Sequence, residues 1–205
     1  MKCKASFAGF ALVAVVLWAS PSAIGRDIFA RLQQPARTPD IFFVPTSDAV
    51  ADEMLKLAGV TADDVVYDLG SGDGRIVILA AQKYGARGVG IELDPRLVET
   101  SRQVARDGEV ADRVRFIVGD LFDADISEAT VVTLYLSYSV NRRLKPKLWR
   151  ELRPGTRVVS HQFTMGTWSP EKRVPAEDHT DLLLWTIPHS VFEPPHQLDG
   201  SARRP

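Results

Sequence analysis

The sequence predicts an α/β fold built around a doubly wound, mostly parallel β-sheet. Three observations predict it: short apolar runs alternate with amphipathic segments, a glycine-rich turn follows the first run, and acidic residues follow the next two. Alternating strands and helices favour a parallel sheet with helices on both faces. The 205 residues are sufficient for one domain with a sizeable hydrophobic core.

The first predicted element is a helix that begins near Thr46. Apolar residues recur at helical spacing from Val50 to Ala58, and either Ser47 or Thr46 can cap the helix N-terminus. Gly59 is suited to end the helix, because glycine readily adopts the left-handed conformation that follows many helices.

Strands and helices then alternate along the chain. The apolar run at Val65 is rich in β-branched residues and ends in Asp68 and glycines, which is typical of a buried strand. Asp94 and Pro95 are favourable residues for the start of a helix. The other predicted strands are 88–92, 114–118, 130–136, 157–163, 172–174 and 182–187. The other predicted helices are 76–84, the segment after Pro95, and a segment marked by apolar residues from 144 to 152.

The N-terminus has the composition of a membrane-targeting segment. Lys2 and Lys4 precede an apolar stretch of 15 residues, Ala5 to Ala19, which small residues follow as far as Gly25. A 15-residue helix spans only about 22 Å, short of the roughly 30 Å of a bilayer core. A cleaved signal peptide and an uncleaved anchor both remain open. The predicted organisation is a signal peptide or anchor over 1–25, a linker over 26–42, one domain over 43–187 and a flexible tail over 188–205.

The sequence argues against a nucleic-acid partner, an intrachain disulfide and a metal site. The net charge is −1 and no long run of Lys or Arg is present, so a nucleic-acid partner is not predicted. The single cysteine, Cys3, excludes an intrachain disulfide. The four histidines lack the close spacing of metal ligands, so no metal site is expected.

The turn after the first strand is the strongest candidate for a ligand-binding site. Its alternating glycines let the backbone turn tightly and approach a ligand, and the next helix then presents free N–H groups. A dinucleotide fingerprint would require glycine at position 75, which is Arg75. Acidic residues at 68 and 73 would repel phosphate but attract an ammonium or sulfonium group. The candidate cofactor-binding residues of this turn are Asp68, Gly70, Ser71, Gly72 and Gly74.

Acidic residues after the next two strands complete the candidate pocket. Glu92 ends the second predicted strand, where a carboxylate can accept hydrogen bonds from both hydroxyls of a ribose. A role as a solvated helix cap suits Asp94 better than Glu92. After the third strand, Asp120 can accept a hydrogen bond from an adenine amino group, with Leu121 against the ring. Together these residues predict a ligand that combines an amino acid with a nucleoside.

Several segments resemble a known family. They are Phe43–Thr46, Val65–Val77, Gly119–Phe122, Leu134–Leu136 and Val158–His161. In this order they are similar to class I S-adenosylmethionine-dependent methyltransferases, and among these to the small lysine methyltransferases that modify the ATP synthase c subunit and the adenine nucleotide translocator in mitochondria. The resemblance extends over roughly residues 41 to 187. It implies a Rossmann-like, seven-stranded sheet with an antiparallel last strand, and S-adenosyl-L-methionine as cofactor.

The resemblance also implies a protein substrate with an accessible lysine, and the N-terminal segment points to a membrane protein. Tyr135 and Tyr138, after the fourth strand, can line an acceptor pocket, and Ser137 and Asn141 can accept hydrogen bonds from an amine. The candidate catalytic residues are therefore Tyr135, Tyr138 and Asn141, although Tyr135 is equally well explained as a core residue. His161 is a candidate base, but a hydrogen-bonded structural role is favoured.

Transfer of a methyl group to lysine by in-line displacement is the expected activity. The alternatives are a small-molecule N- or O-methyltransferase and a non-catalytic exported domain of the same fold. Val44–Thr46 is either a lid over the cofactor or a stiff connector. Cleavage at the N-terminus would export the chain, whereas an anchor would keep the domain in the cytosol, where S-adenosylmethionine is made.

Overall fold

The computed structural model describes residues 44–189. The expectations for residues 1–25, for the linker over 26–42 and for the tail beyond residue 189 lie outside this range. The helices are α1 (Asp48–Leu57), α2 (Arg75–Tyr84), α3 (Pro95–Asp107) and α4 (Tyr138–Glu151). The strands are β1 (Val65–Leu69), β2 (Arg87–Glu92), β3 (Val114–Val118), β4 (Val131–Leu134), β5 (Arg157–His161), β6 (Lys172–Pro175) and β7 (Asp181–Thr186).

All strands of the described range form one seven-stranded sheet in the order β3-β2-β1-β4-β5-β7-β6. Strands β1 to β5 pair in parallel, and β7 runs antiparallel to both β5 and β6. The doubly wound, mostly parallel sheet with an antiparallel last strand is therefore confirmed. The strand order reverses between β1 and β4, and ligands of such sheets bind at the carboxyl ends of the strands beside this point.

The hydrophobic core lies on both faces of the sheet. In β1, Tyr67 and Leu69 belong to a cluster with Leu144 and Leu148 of α4, whereas Val66 belongs to a second cluster. Successive strand residues point to opposite faces, so these clusters cover opposite faces. The second cluster includes buried residues of α1 and α2. Every residue of β1 and β4 is buried, as expected for the centre of a parallel sheet.

The predicted starts of α1 and α3 agree with the structure. The Ser47 side chain caps α1 by accepting a hydrogen bond from the backbone N–H of Val50. Asp94 caps α3, and Pro95 is its first residue. Gly59 follows the end of α1 with φ +62°, in the left-handed conformation that favours glycine.

Three boundaries near the carboxyl edge differ from the prediction. The strand predicted over 130–136 ends at Leu134. The strand predicted over 157–163 ends at His161, because Gln162 has a positive φ of +70° that no strand continues. Helix α4 begins at Tyr138, ahead of the first marked apolar position, because Ser137 caps it by accepting from the N–H of Val140. Tyr138 and Asn141 therefore lie in the first turn of α4. Within residues 44–189, the helices are too short or too polar to cross a membrane.

Candidate active site

Strand register places the predicted residues in one row along the carboxyl edge of the sheet. Leu69 of β1 pairs with Ile91 of β2 and with Leu134 of β4, and Leu134 pairs with Ser160 of β5. The next residue along the chain is Gly70 for β1, Glu92 for β2, Tyr135 for β4 and His161 for β5. The glycine turn therefore lies between an acidic side chain on one side and aromatic side chains on the other.

The glycine turn is tied to the neighbouring strand and packed too closely for side chains. The backbone N–H groups of Gly70 and Ser71 both donate to the carbonyl of Ile91, at 2.8 and 3.0 Å. Gly70 and Gly74 adopt φ of +81° and +80°. A Cβ at Gly70 would lie 2.7 Å from the Leu136 side chain, and one at Gly74 would lie 2.6 Å from the Phe116 ring. Both positions therefore require glycine.

Glu92 is held against the glycine turn by two backbone hydrogen bonds. Its Oε2 accepts from the N–H of Gly72 at 2.9 Å, and its Oε1 accepts from the N–H of Asp94 at 2.9 Å. Each carboxylate oxygen has a second lone pair that can accept a ligand hydroxyl. Asp94 itself caps α3, as predicted. The geometry therefore leaves Glu92 available for a ribose at the edge of the turn.

Asp68 is a buried acid at the base of the turn. It accepts a hydrogen bond from the hydroxyl of Thr133 at 2.8 Å. Burial raises the pKa of Asp68 to about 7; the Thr133 hydrogen bond opposes the rise, and the charges of Glu92 and Asp73 add to it. A cationic group bound nearby would favour the ionised form of this carboxyl.

The residues around the turn fit a ligand with hydroxyl groups, an amine and a positive charge. The hydroxyl oxygen of Ser71 is buried and has no hydrogen-bond partner among residues 44–189. A buried polar atom of this kind normally requires a partner. The Ser101 hydroxyl donates to the carbonyl of Gly72 at 3.1 Å and so supports the turn from α3. The turn, the Ser71 hydroxyl and the Glu92 carboxylate can together hold an amino acid joined to a nucleoside.

Arg75 is a site residue that the sequence analysis used only to exclude a dinucleotide. Its guanidinium makes two hydrogen bonds to Asp73, at 3.0 and 2.5 Å, and one to the carbonyl of Thr46, at 2.7 Å. Thr46 is buried. These contacts attach the segment before α1 to the glycine turn. The spacing of Asp73 and Arg75 could have indicated their ion pair, but no local signal indicates the contact with Thr46.

The loop after β3 carries the predicted adenine contacts. Oδ1 of Asp120 accepts from the N–H of Phe122 at 2.9 Å, and Leu121 is partly buried against the core. The Lys147 ammonium of α4 donates to the carbonyl of Ala124 at 2.5 Å. This buried lysine holds the loop near α4. The ligand contacts of Asp120 and Leu121 stay predictions.

The three candidate catalytic residues occupy different environments. Tyr135 is partly buried and stacks on His161, with ring centroids 4.1 Å apart. Tyr138 is 49% exposed at the start of α4. The Asn141 side chain is buried, and its Nδ2 donates to the Ser160 hydroxyl at 3.0 Å and to the Phe163 carbonyl at 2.9 Å. Only Tyr135 combines a position beside the glycine turn with partial exposure. The catalytic roles of all three stay predictions.

No metal centre accompanies these groups in the described part of the chain. Residues 44–189 contain no group of three or more His, Cys, Asp or Glu side chains arranged to hold an ion.

The sheet order and the pocket beside β1 and β2 define a class I S-adenosylmethionine-dependent methyltransferase. Within this class, the chain belongs to the family of the ANTKMT methyltransferase domain, whose model matches residues 68–172. The matched region contains the glycine turn from Asp68 onward and the acidic residues Glu92 and Asp120. It also contains the residues of the acceptor side. S-adenosylmethionine is therefore its cofactor.

Similar proteins agree with this assignment. A protein-lysine N-methyltransferase of Saccharolobus islandicus is 47% identical over 142 residues, which cover 68% of this chain and 88% of the relative. The human lysine N-methyltransferase named for the c subunit of ATP synthase is 36% identical over 63% of this chain, which spans only 54% of that relative. The crystal structure of an RNA methyltransferase from Salinibacter ruber with bound S-adenosyl-L-homocysteine is 58% identical, has a TM-score of 0.70 and covers 76% of this chain and 99% of its own.

Replacement of Glu92 is expected to weaken cofactor binding. Glu92→Ala removes the acceptor for the ribose hydroxyls, which should cost about 1–3 kcal/mol of binding free energy. Calorimetric titration with S-adenosylmethionine measures the change. Glu99→Ala, an exposed acid on α3, is the matched control and should bind like the wild type. Unchanged affinity in a folded Glu92→Ala variant would show that the ribose is held elsewhere.

Replacement of Asp68 is expected to change how stability depends on pH. Folding favours protonated Asp68, so the contribution of this carboxyl to stability is lost as pH rises from the ordinary value of 3.8 to about 7. Asp68→Asn keeps an acceptor for Thr133 and removes the titration. Its stability relative to wild type should therefore increase by about 1–3 kcal/mol between about pH 5 and about pH 8. Urea unfolding without cofactor measures this, and a constant difference would contradict the assignment.

Proposed function

We propose that this enzyme transfers a methyl group from S-adenosylmethionine to the side-chain nitrogen of a protein lysine. The observation that carries the proposal is the position of Tyr135. It directly follows Leu134 of β4, which pairs with Leu69 of β1, and it therefore lies beside the glycine turn. Its ring is partly exposed, as a side chain that contacts an acceptor must be. The names of the Saccharolobus and human relatives, both lysine methyltransferases, support a lysine acceptor.

The residues of the chain bind and align, while the cofactor supplies the reactive group. S-adenosylmethionine carries a methyl on a sulfonium, which is already activated for in-line displacement. Glu92 and the glycine turn would hold the nucleoside and amino-acid parts of the donor. Alignment of donor and acceptor is then the main contribution of the protein to the rate.

The acceptor side is suited to an amine that must arrive neutral. Tyr135, His161 and Phe163 form a ring cluster in which Tyr135 stacks on both partners. Partial desolvation beside such rings lowers the pKa of a lysine amine and so favours the nucleophilic form. The ring face of Tyr135 can also stabilise the methylated, cationic product. A surface formed by these rings suits the aliphatic part of a lysine side chain that a larger protein presents.

RNA is the alternative acceptor suggested by the name of the Salinibacter structure. A groove of about 340 Å³ between α3 and β3 is lined by Arg102, Arg106 and Arg115. However, Glu99 lies 3.7 Å from Arg102 and 3.4 Å from Arg106, which offsets part of this charge. The net charge of −1 also provides little attraction for a phosphate backbone. The proposal is therefore a protein acceptor, and RNA becomes an outcome of the test.

Labelling experiments distinguish the acceptors. The purified enzyme is incubated with methyl-labelled S-adenosylmethionine and, separately, with membrane protein extract, soluble protein extract, total RNA and a metabolite extract. We expect label on lysine side chains of membrane proteins. Label confined to RNA, to arginine or to small molecules would refute the lysine proposal.

The Tyr135 ring provides a variant-level test of the same proposal. Tyr135→Ala should slow transfer about tenfold, because it removes a ring contact with a cationic or amine group and the energy of such a contact corresponds to a rate change of this size. The matched control Tyr135→Phe keeps the ring and should retain most of the rate. Both variants should bind S-adenosylmethionine with nearly wild-type affinity, since Tyr135 is assigned to the acceptor side. A loss of cofactor affinity in Tyr135→Ala would place the residue in the donor pocket instead.

We also propose that the N-terminal segment brings the enzyme to a membrane. The support is the pair Lys2 and Lys4 followed by the apolar stretch from Ala5 to Ala19. An anchored chain with its domain on the cytosolic side is the form that keeps access to S-adenosylmethionine. The acceptor is then a membrane protein or a protein at the membrane surface.

Mass spectrometry of the N-terminus of the protein purified from its native cells tests this targeting. Retained Met1 in the membrane fraction is the expected result for the anchor. A chain that begins at Arg26 would indicate a cleaved signal peptide, and full-length protein in the soluble fraction would exclude both forms.

A further inference from the structure

We infer that His161 is a positioning residue that fixes the Tyr135 ring for the acceptor. The inference rests on the proposed function for the identity of the acceptor, a lysine amine. It assigns to a buried histidine a role in alignment rather than in proton transfer. Four observations carry it: ring stacking, the partners of the imidazole, a strained turn beside it, and burial.

The His161 imidazole forms the surface against which Tyr135 packs. The ring centroids are 4.1 Å apart and the ring planes differ by 30°, which is a stacked arrangement. His161 is 2% exposed, whereas Tyr135 is partly exposed. His161 therefore lies behind Tyr135 and can reach the acceptor only through the tyrosine ring.

The imidazole is itself fixed by two residues of the loop between β6 and β7. Its Nε2 lies 3.0 Å from Oδ2 of Asp178 and 2.6 Å from the hydroxyl of Thr180, which donates to Oδ1 of Asp178 at 2.6 Å. Because a carboxylate only accepts, these partners assign the proton to Nε2. The ring orientation and tautomer of His161 are thus set from outside the pocket.

A strained turn immediately after β5 completes the arrangement. Gln162 has φ +70°, and the N–H of Phe163 donates to the carbonyl of His161 at 2.8 Å, which together form a γ-turn of the rare, strained type. The carbonyl of Phe163 accepts from the Ser160 hydroxyl at 2.8 Å and from Asn141 at 2.9 Å. Strain of this kind persists only where surrounding contacts enforce it, and it is common at functional sites.

The consequence of the turn is a second ring beside Tyr135. Phe163 stacks on Tyr135 with centroids 6.3 Å apart and planes 21° from parallel. Burial lowers the pKa of His161, an effect that Asp178 opposes, so the ring that supports Tyr135 is neutral near pH 7. A neutral support adds no charge that would repel an ammonium or sulfonium group. Two rings therefore stack on Tyr135, and these contacts define its orientation.

Two substitutions at position 161 separate positioning from other roles. His161→Ala removes the supporting ring, and His161→Phe keeps a ring but cannot bond to Asp178. The assay is the initial rate of labelling of membrane protein extract, at low and at saturating extract, corrected for the folded fraction. We expect His161→Ala to be up to about tenfold slower even at saturating extract, no more than Tyr135→Ala, because the alignment of that ring is lost. We expect His161→Phe to recover most of the rate, and both variants to bind S-adenosylmethionine within about twofold of wild type.

The other results overturn the inference in identifiable ways. A His161→Phe variant as slow as His161→Ala would show that a supporting ring is not sufficient, and would overturn the inference. A folded His161→Ala variant with the wild-type rate would indicate a structural role alone. If the wild type labels RNA or arginine, the lysine proposal fails. The two variants are then compared on that acceptor, and the comparison still decides the role of His161.

Discussion

The hydrogen bond between the Glu92 carboxylate and the backbone N–H of Gly72 is the interaction on which the donor pocket depends. It joins the end of β2 to the turn after β1, and the Ile91 carbonyl reinforces the junction by accepting from Gly70 and Ser71. A turn with several left-handed residues has little conformational preference of its own. The neighbouring strand therefore supplies the order, and the side chain that binds the turn is also the one predicted to bind the ribose.

Charge in this pocket is arranged around a buried acid. Asp68 has a raised pKa because it is out of water and near Glu92 and Asp73. Arg75 pairs with Asp73 and so balances one of these negative charges, while it also attaches Thr46 to the turn. The net negative character of the remaining groups suits a donor that carries an ammonium and a sulfonium. The same arrangement is unfavourable for a pyrophosphate.

The acceptor side is built by a different kind of interaction. The donor pocket is built from carboxylates, whereas the acceptor side is built from stacked rings and a strained backbone turn. The contacts of the acceptor side come from β4, β5 and the loop before β7. Parallel pairing brings Tyr135 and His161 side by side, although a whole helix separates them in sequence. The two halves of the site meet at the point where the strand order reverses, which is where an open parallel sheet leaves a crevice.

The sequence by itself determined the fold class, the order of strands and helices, and the glycine turn, because each of these depends on local patterns. Alternating apolar segments, glycines at every second position and a helix cap at Asp94 act over a few residues. The contacts of Arg75 and His161 were decided only by the tertiary structure. Their partners, Thr46 and Asp178, come from other parts of the chain, and no local pattern encodes such contacts. The interior position of the Asn141 side chain depends likewise on Ser160 and Phe163, which accept hydrogen bonds from its Nδ2.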